Sequence, residues 1–221
     1  MTVKRFLFLS ALCLIAAALN PCLSVFSLNV LKLPVFLDTV FTAAVTFYAG
    51  LIPGLITAFI TAAIGVYIDG AVTPFGLCAI AEVFIIWMLK PKTAFNNQIK
   101  DAAAAATRVN IFSRLMLLYI VACFAVSILG GLIAYIWFTV LPNTKGNFSA
   151  EDFFKMMFIR SNIHVLPMNI LSRIPVNLID RFIVIFGGYF ISQGIIHIER
   201  RLYRRRKNLK HELPNTENPE E

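Results

Sequence analysis

Apolar runs of about fourteen or more residues, broken by short polar stretches, set the rhythm of this chain. Matching the runs against their breakers predicts six helices, at residues 6–28, 36–49, 53–68, 74–89, 115–141 and 174–198. The first run, about 23 residues, is long enough to cross a bilayer. The second, third and fourth are short: about 15 residues at about 1.5 Å each cover about 22 Å, less than a hydrocarbon core of about 30 Å. Short spans joined by tight turns, such as the Gly-Leu-Ile-Pro-Gly turn at residues 50–54, lie inside a bundle or leave a cavity open to water at one end.

Five ionisable residues sit in or beside these runs: Asp38, Asp69, Glu82, Asp180 and Arg181. A charge at the centre of a bilayer costs about 2.5–3.5 kcal/mol, so each is expected to face the bundle interior, a cavity or the interface. Asp38 is placed to cap the second helix, and Asp69 ends the third at the turn made by Gly70. Thr73 and Pro74 read as an N-cap and first-turn proline of the fourth. Glu82 lies about two turns inside that fourth helix, so it must be neutral, paired or open to a cavity. Arg173, Asn177 and Arg181 share one face of the last helix, with Asp180 beside them. That polar patch has two open readings, an internal ion pair with interfacial snorkelling or a ligand site. His164, Asn162 and Asn169, in the preceding segment, are further polar candidates.

Composition turns this pattern into a class: 58% of the 221 residues are hydrophobic, 14% are charged, and the mean hydropathy is +0.76. These values point to an integral membrane protein, an all-α bundle of about six transmembrane helices. The net charge of +8 concentrates at Lys4 and Arg5, at residues 90–114 and at residues 200–210, beside the ends of apolar runs. Positive-inside anchoring in the lipid bilayer accounts for this better than nucleic acid does, and it places both termini in the cytoplasm. Segments 29–35, 69–73 and 142–173 then face outward. The last carries Lys145, Lys155, Arg160 and Arg173, cations that depart from the rule and could face a site. A cleaved signal peptide at the N-terminus would leave five spans with the same sidedness, but the first apolar run is long enough to be a retained span. Residues 1–199 form the membrane domain, and residues 200–221 a basic, then acidic cytoplasmic tail whose end is expected to be disordered. Residues 101–114 are expected to form an interfacial helix leading into the fifth span.

Gly50, Gly54, Ala58 and Ala62 form a stripe of small residues, suited to packing within the chain or to docking a partner helix. Cys13, Cys22, Cys78 and Cys123 are scattered singly through apolar sequence and read as small buried hydrophobes, neither disulfides nor metal ligands. The chain has no Walker A motif, no HExxH, no GxSxG and no carboxylate cluster fit to hold a divalent metal, which disfavours an enzyme or a self-contained ATP-driven pump and implies no metal or cofactor.

Residues 33–70 and 73–89, with the pattern LPVFLDTVFTAA…YAGLIPGLITAFITAAIG…TPFGLCAIAE, resemble the substrate-binding (S) components of energy-coupling factor (ECF) transporters. A second likeness lies at residues 173–191, where IPVNLIDRFIVIFGGYFI is similar to that family's last span. The resemblance covers somewhat under half of the chain. It implies a non-catalytic subunit of the cell membrane, of the bacterial inner-membrane type, that captures a small vitamin-like solute from outside. Delivery would go through a transmembrane coupling subunit and two ATP-binding subunits. Asp38, Asp69, Asn177, Asp180 and Arg181 would border the ligand cavity, Glu82 and His164 could add polar contacts, and Tyr67 and Phe75 would offer stacking surfaces. Many members dock through an Ala-xxx-Ala pair in the first span; here Cys13 and Ala17 are the nearest approximation, and the Gly50, Gly54, Ala58, Ala62 stripe is an alternative docking face. The histidine of the family's metal-binding branch is missing near the N-terminus, so an organic solute is expected. A multi-span membrane sensor or scaffold without transport activity is the alternative reading.

Overall fold

The computed structural model describes residues 3–31, 35–69, 74–91, 101–137, 150–159 and 163–212. All regular structure among them is helical: α1 (Val3–Val25), continued by a π-helical turn at Phe26–Val30, then α2 (Val40–Ala49), α3 (Leu51–Asp69), α4 (Gly76–Leu89), α5 (Asp101–Tyr135), α6 (Ala150–Ile159), α7 (Val165–Leu171) and α8 (Arg173–Glu212). Four stretches are long and apolar enough to cross a membrane: Arg5–Val30, Leu51–Ile68, Val109–Tyr135 and Val165–Leu202. Their large apolar side chains point outward in number, among them Phe6, Leu14, Phe59, Phe124 and Phe190. A surface this apolar is compatible with lipid as its surroundings.

Each of the six expected apolar segments is a helix, with shifted ends. The second begins at Val40 and not at residue 36, because Leu37 takes a left-handed backbone (φ 49°) and Thr39 is non-helical. The third begins two residues earlier than Pro53, since a proline in the first turn forfeits no intrahelical bond. Gly50, at φ 95°, makes the reversal between α2 and α3 in a conformation that a side chain would strain. The interfacial helix from Asp101 and the fifth span are one continuous 35-residue helix. The last helix likewise runs unbroken past residue 199 to Glu212, so the boundary drawn between membrane domain and basic tail falls inside α8. Within the expected outer loop 142–173 the structure forms α6 and α7, an addition to the sequence reading.

The short helix α2 sits at the centre. Val40 and every residue from Thr42 to Thr46 are buried, and α2 touches α1, α3, α4 and α8. At about 1.5 Å per residue its ten residues rise about 15 Å, too little to cross a bilayer. Enclosure by neighbouring helices makes such a half-length element tolerable. Glycines set the closest approaches. A Cβ at Gly188 of α8 would stand 2.8 Å from the Cβ of Ala43, and one at Gly131 of α5 would stand 2.8 Å from the Cα of Ile170.

Asn20 ties α1 into this centre. Its side-chain amide donates to the hydroxyls of Thr42 (2.8 Å) and Thr61 (3.0 Å), and its carbonyl accepts the Phe41 N–H at 3.0 Å. Three helices thus meet on one fully buried amide. The chain direction divides the bundle into two ends. One holds residues 35–39, the start of α4 and the junction of α7 with α8; the other holds the start of α1, the Gly50 turn, the exit from α4 at Lys90 and the far part of α8.

Candidate functional site

At the Asp38 end, α8 enters from Ser172 and presents its first polar face inward. Arg173, Asn177, Asp180 and Arg181, spaced at one- and two-turn intervals, are all buried. Arg181 is the hub. Its guanidinium Nη1 donates to Glu82 Oε2 and to Thr39 Oγ1 (3.1 Å), and Nη2 donates to Asp180 Oδ2 at 2.6 Å. The expected ion pair within α8 therefore exists, but it extends across the bundle to α4. Glu82, two turns inside that helix, is paired in the way its depth demanded.

The two carboxylates do different work. Both oxygens of Asp180 are engaged: Oδ2 by Arg181, and Oδ1 by the backbone N–H of Leu37 at 2.9 Å. That second bond spans 143 residues and holds the one described non-glycine residue with positive φ. A left-handed backbone costs about 1–2 kcal/mol for an L-residue, so Asp180 is the fastening that keeps the 35–39 segment in place. Glu82 uses one oxygen on Arg181. Its Oε1, buried with a residue exposure of 1%, has no hydrogen-bond partner among the described residues, and neither does Arg181 Nε. An unmatched carboxylate oxygen at this depth calls for a donor.

Around this hub the lining is mixed. Asp38 is half-buried and lies in the field of Arg181, Asp180 and Glu82. Asn177 donates to Ser127 Oγ at 2.9 Å, which binds α8 to α5. Phe75 lies under the guanidinium of Arg173, 4.8 Å from ring centre to Cζ, and is therefore a cation–π partner in this arrangement. Gly130 makes room for Arg173, because a Cβ there would fall 2.8 Å from Nη1.

Of the residues singled out from sequence, Glu82, Asp180, Arg181 and Asp38 gather in this cluster, with Asn177 and Phe75 beside it. Tyr67 does not join them: it is 89% exposed near the end of α3. His164 is exposed at the start of α7. The side chain of Asp69 lies outside the described residues, as do Thr73, Lys145 and Asn162. Asn169 is buried and donates to the Val165 carbonyl at 2.9 Å within α7.

Sequence reasoning passed over Thr39, Ser127 and Cys78. Cys78, read as a plain buried hydrophobe, lies one turn before Glu82 on the same face of α4 and close enough to feel Arg173 and Arg181. Its four-residue spacing from Glu82 was the available signal; Ser127 and Thr39 had none, because their roles depend on which helices become neighbours.

The small-residue stripe of α3 is engaged within the chain. A Cβ on Gly54 would clash with Thr46 and approach Val83 Cγ1 to 3.1 Å, Ala58 is buried, and Ala62 faces Gly76. Gly50 has nothing within 4 Å of the Cβ position. On α1, Cys13 and Ala17 are both buried against their own bundle. No group of three or more His, Cys, Asp or Glu among the described residues is arranged to hold a metal ion. Comparison with family models, with curated proteins and with solved structures found no match for this chain.

Proposed function

We propose that this chain is the membrane-embedded substrate-binding subunit of an ECF-type uptake transporter. In this reading it has six spans, both termini in the cytoplasm, and residence in the cell membrane. It takes a small vitamin-like organic solute at the Asp38 end and hands it on through a coupling subunit and ATP-binding subunits, with no catalysis of its own. One observation carries the reading: the buried Glu82 carboxylate keeps Oε1 without a donor among the described residues, beside an arginine hub held by Asp180 and Thr39. A solute bearing an N–H or O–H group would complete it. The position of the cluster supports the same reading, since it lies about two helical turns in from one end of an apolar bundle.

Native mass spectrometry of the gently purified full chain tests the idea. A retained small molecule is expected in the wild type and lost in Glu82→Gln, a variant that still folds although losing the charge that faces Arg181 lowers its thermal transition by on the order of 5–10 °C. Co-purification with a coupling subunit and ATPases is expected from cells that encode them. If wild type and Glu82→Gln retain the same molecule equally, or no solute binds and no transporter subunit is recovered, the reading is wrong. The sensor alternative draws on the extension of α8 to Glu212, and a crosslinking screen recovering a signalling partner on that extension would favour it.

A further inference from the structure

The opposite end of the bundle holds an open groove of about 710 Å³, bordered by α1, α2, α8 and the exit from α4. Its rim brings together Arg5 from α1, Lys90 after α4, and Arg200 and Arg204 from α8. The acidic residue on this wall is Glu199, whose Oε2 already accepts the Tyr48 hydroxyl at 2.8 Å. Among the described residues, four cations from three parts of the chain therefore converge beside one carboxylate that has a partner. Lys90 is half-buried, its Nζ 3.4 Å from the Thr46 carbonyl oxygen, and burial pulls its pKa below the ordinary lysine value. A partly desolvated ammonium gains from an anion placed beside it.

Behind this rim the wall turns apolar. Leu9 follows Arg5 by one turn on α1, Ile196 precedes Arg200 by one turn on α8, and Phe47 of α2 lies between, its ring edge-on to Tyr189 at 5.7 Å. Positive-inside charge alone would distribute cations around the helix ends; here they converge on a concavity with hydrocarbon behind them. Charge at the mouth and apolar surface within is the order in which a phospholipid presents its own headgroup and chains. The volume lies within the roughly 300–1,000 Å³ of ligand-holding clefts.

We propose that this groove binds the phosphate headgroup of an anionic phospholipid from the adjoining leaflet. Its acyl chain then lies along Leu9, Phe47 and Ile196. A soluble phosphate shares the headgroup chemistry but makes no use of the apolar wall, which is why the lipid is the occupant named. Juxtamembrane cations contribute about fivefold each in affinity for anionic lipid, so removing Arg5 and Arg204 together weakens binding about 25-fold.

The full chain in neutral detergent is titrated with phosphatidylglycerol, with phosphatidylcholine of the same chains, and with inorganic phosphate, following thermal unfolding and, by native mass spectrometry, the lipid retained. Phosphatidylglycerol is expected to raise the transition saturably and to stay bound, phosphatidylcholine to do neither. Arg5→Gln/Arg204→Gln should lose the response, and Arg114→Gln, an exposed arginine outside the groove, should keep it. Equal effects of the two lipids, or an undiminished phosphatidylglycerol response in the double variant, overturn the proposal. An equal saturable shift from inorganic phosphate overturns the lipid assignment. Should the double variant not fold, equal retention of the two lipids by the wild type still refutes the idea.

Discussion

Replacing Asp180 by alanine removes two acceptors at once, the one for Arg181 Nη2 and the one for the Leu37 N–H. Breaking one side of a buried ion pair costs about 3–5 kcal/mol; here Glu82 still holds Arg181, so the lower figure applies. Stranding the Leu37 amide adds about 1–3 kcal/mol, giving roughly 4–6 kcal/mol in all. Total stabilities are about 5–15 kcal/mol, so the variant should retain little margin. At about 2–4 °C per kcal/mol for a chain of this size, the transition should fall by on the order of 10–20 °C. Asp180→Asn keeps an oxygen for Leu37 and loses the charge facing Arg181, so it should fall by about half as much. In a Cys22→Ser/Cys78→Ser background, which removes the exposed and half-buried thiols, a thiol-reactive fluorophore reports unfolding through Cys13 and Cys123, which are buried in the native bundle. Scan rate, detergent and lipid must be held constant between variants. An Asp180→Ala transition within about 3 °C of wild type would refute the fastening role, because the two lost contacts could not then be worth what burial implies. Equal losses in the alanine and asparagine variants would place the whole effect on the ion pair and none on Leu37.

Asn20→Ala should cost about 2–6 kcal/mol, since three interhelical bonds of about 0.6–2 kcal/mol each disappear, whereas Asn110→Ala, at an exposed site, should leave the same thermal transition unchanged. Gly188→Ala should destabilise by about 1–3 kcal/mol, because its Cβ would stand 2.8 Å from that of Ala43 at the α2–α8 contact. Gly194→Ala meets open space and should be neutral or stabilising by up to about 1 kcal/mol, so a matching gain at both glycines would show that backbone propensity and not packing governs α8.

The helices themselves were legible in one dimension because apolar runs and breakers are local properties. All six apolar segments are helical, and the depth of Glu82 in its helix was enough to demand a partner. The late start of α2 traces to a residue whose backbone is set from far away. Leu37 reads as one more apolar residue, yet its left-handed conformation answers to Asp180, 143 positions later. Helices α6 and α7 were read as loop because each is short and lies in a stretch interrupted by polar residues.

The site was half legible for the same reason. Arg173, Asn177, Asp180 and Arg181 could be grouped because helical spacing alone puts them on one face. That Arg181 reaches across to Glu82 and Thr39 depends on α8 packing against α2, which in turn depends on Gly188 letting the backbones close. Asn20 belongs to the same class: an amide in an apolar helix signals a polar partner, but which partner is decided by the neighbours. By itself, then, the sequence determined the helical, membrane-compatible class and the faces on which charge would lie, because hydropathy and the 3.6-residue repeat act over a few turns. Tertiary structure decided which charges meet, which carboxylate oxygen has no partner among the described residues and where the basic rim closes around a groove. Those are pairings between segments far apart in the chain, and a buried charge is settled by whatever the packed helices bring to within about 3 Å of it.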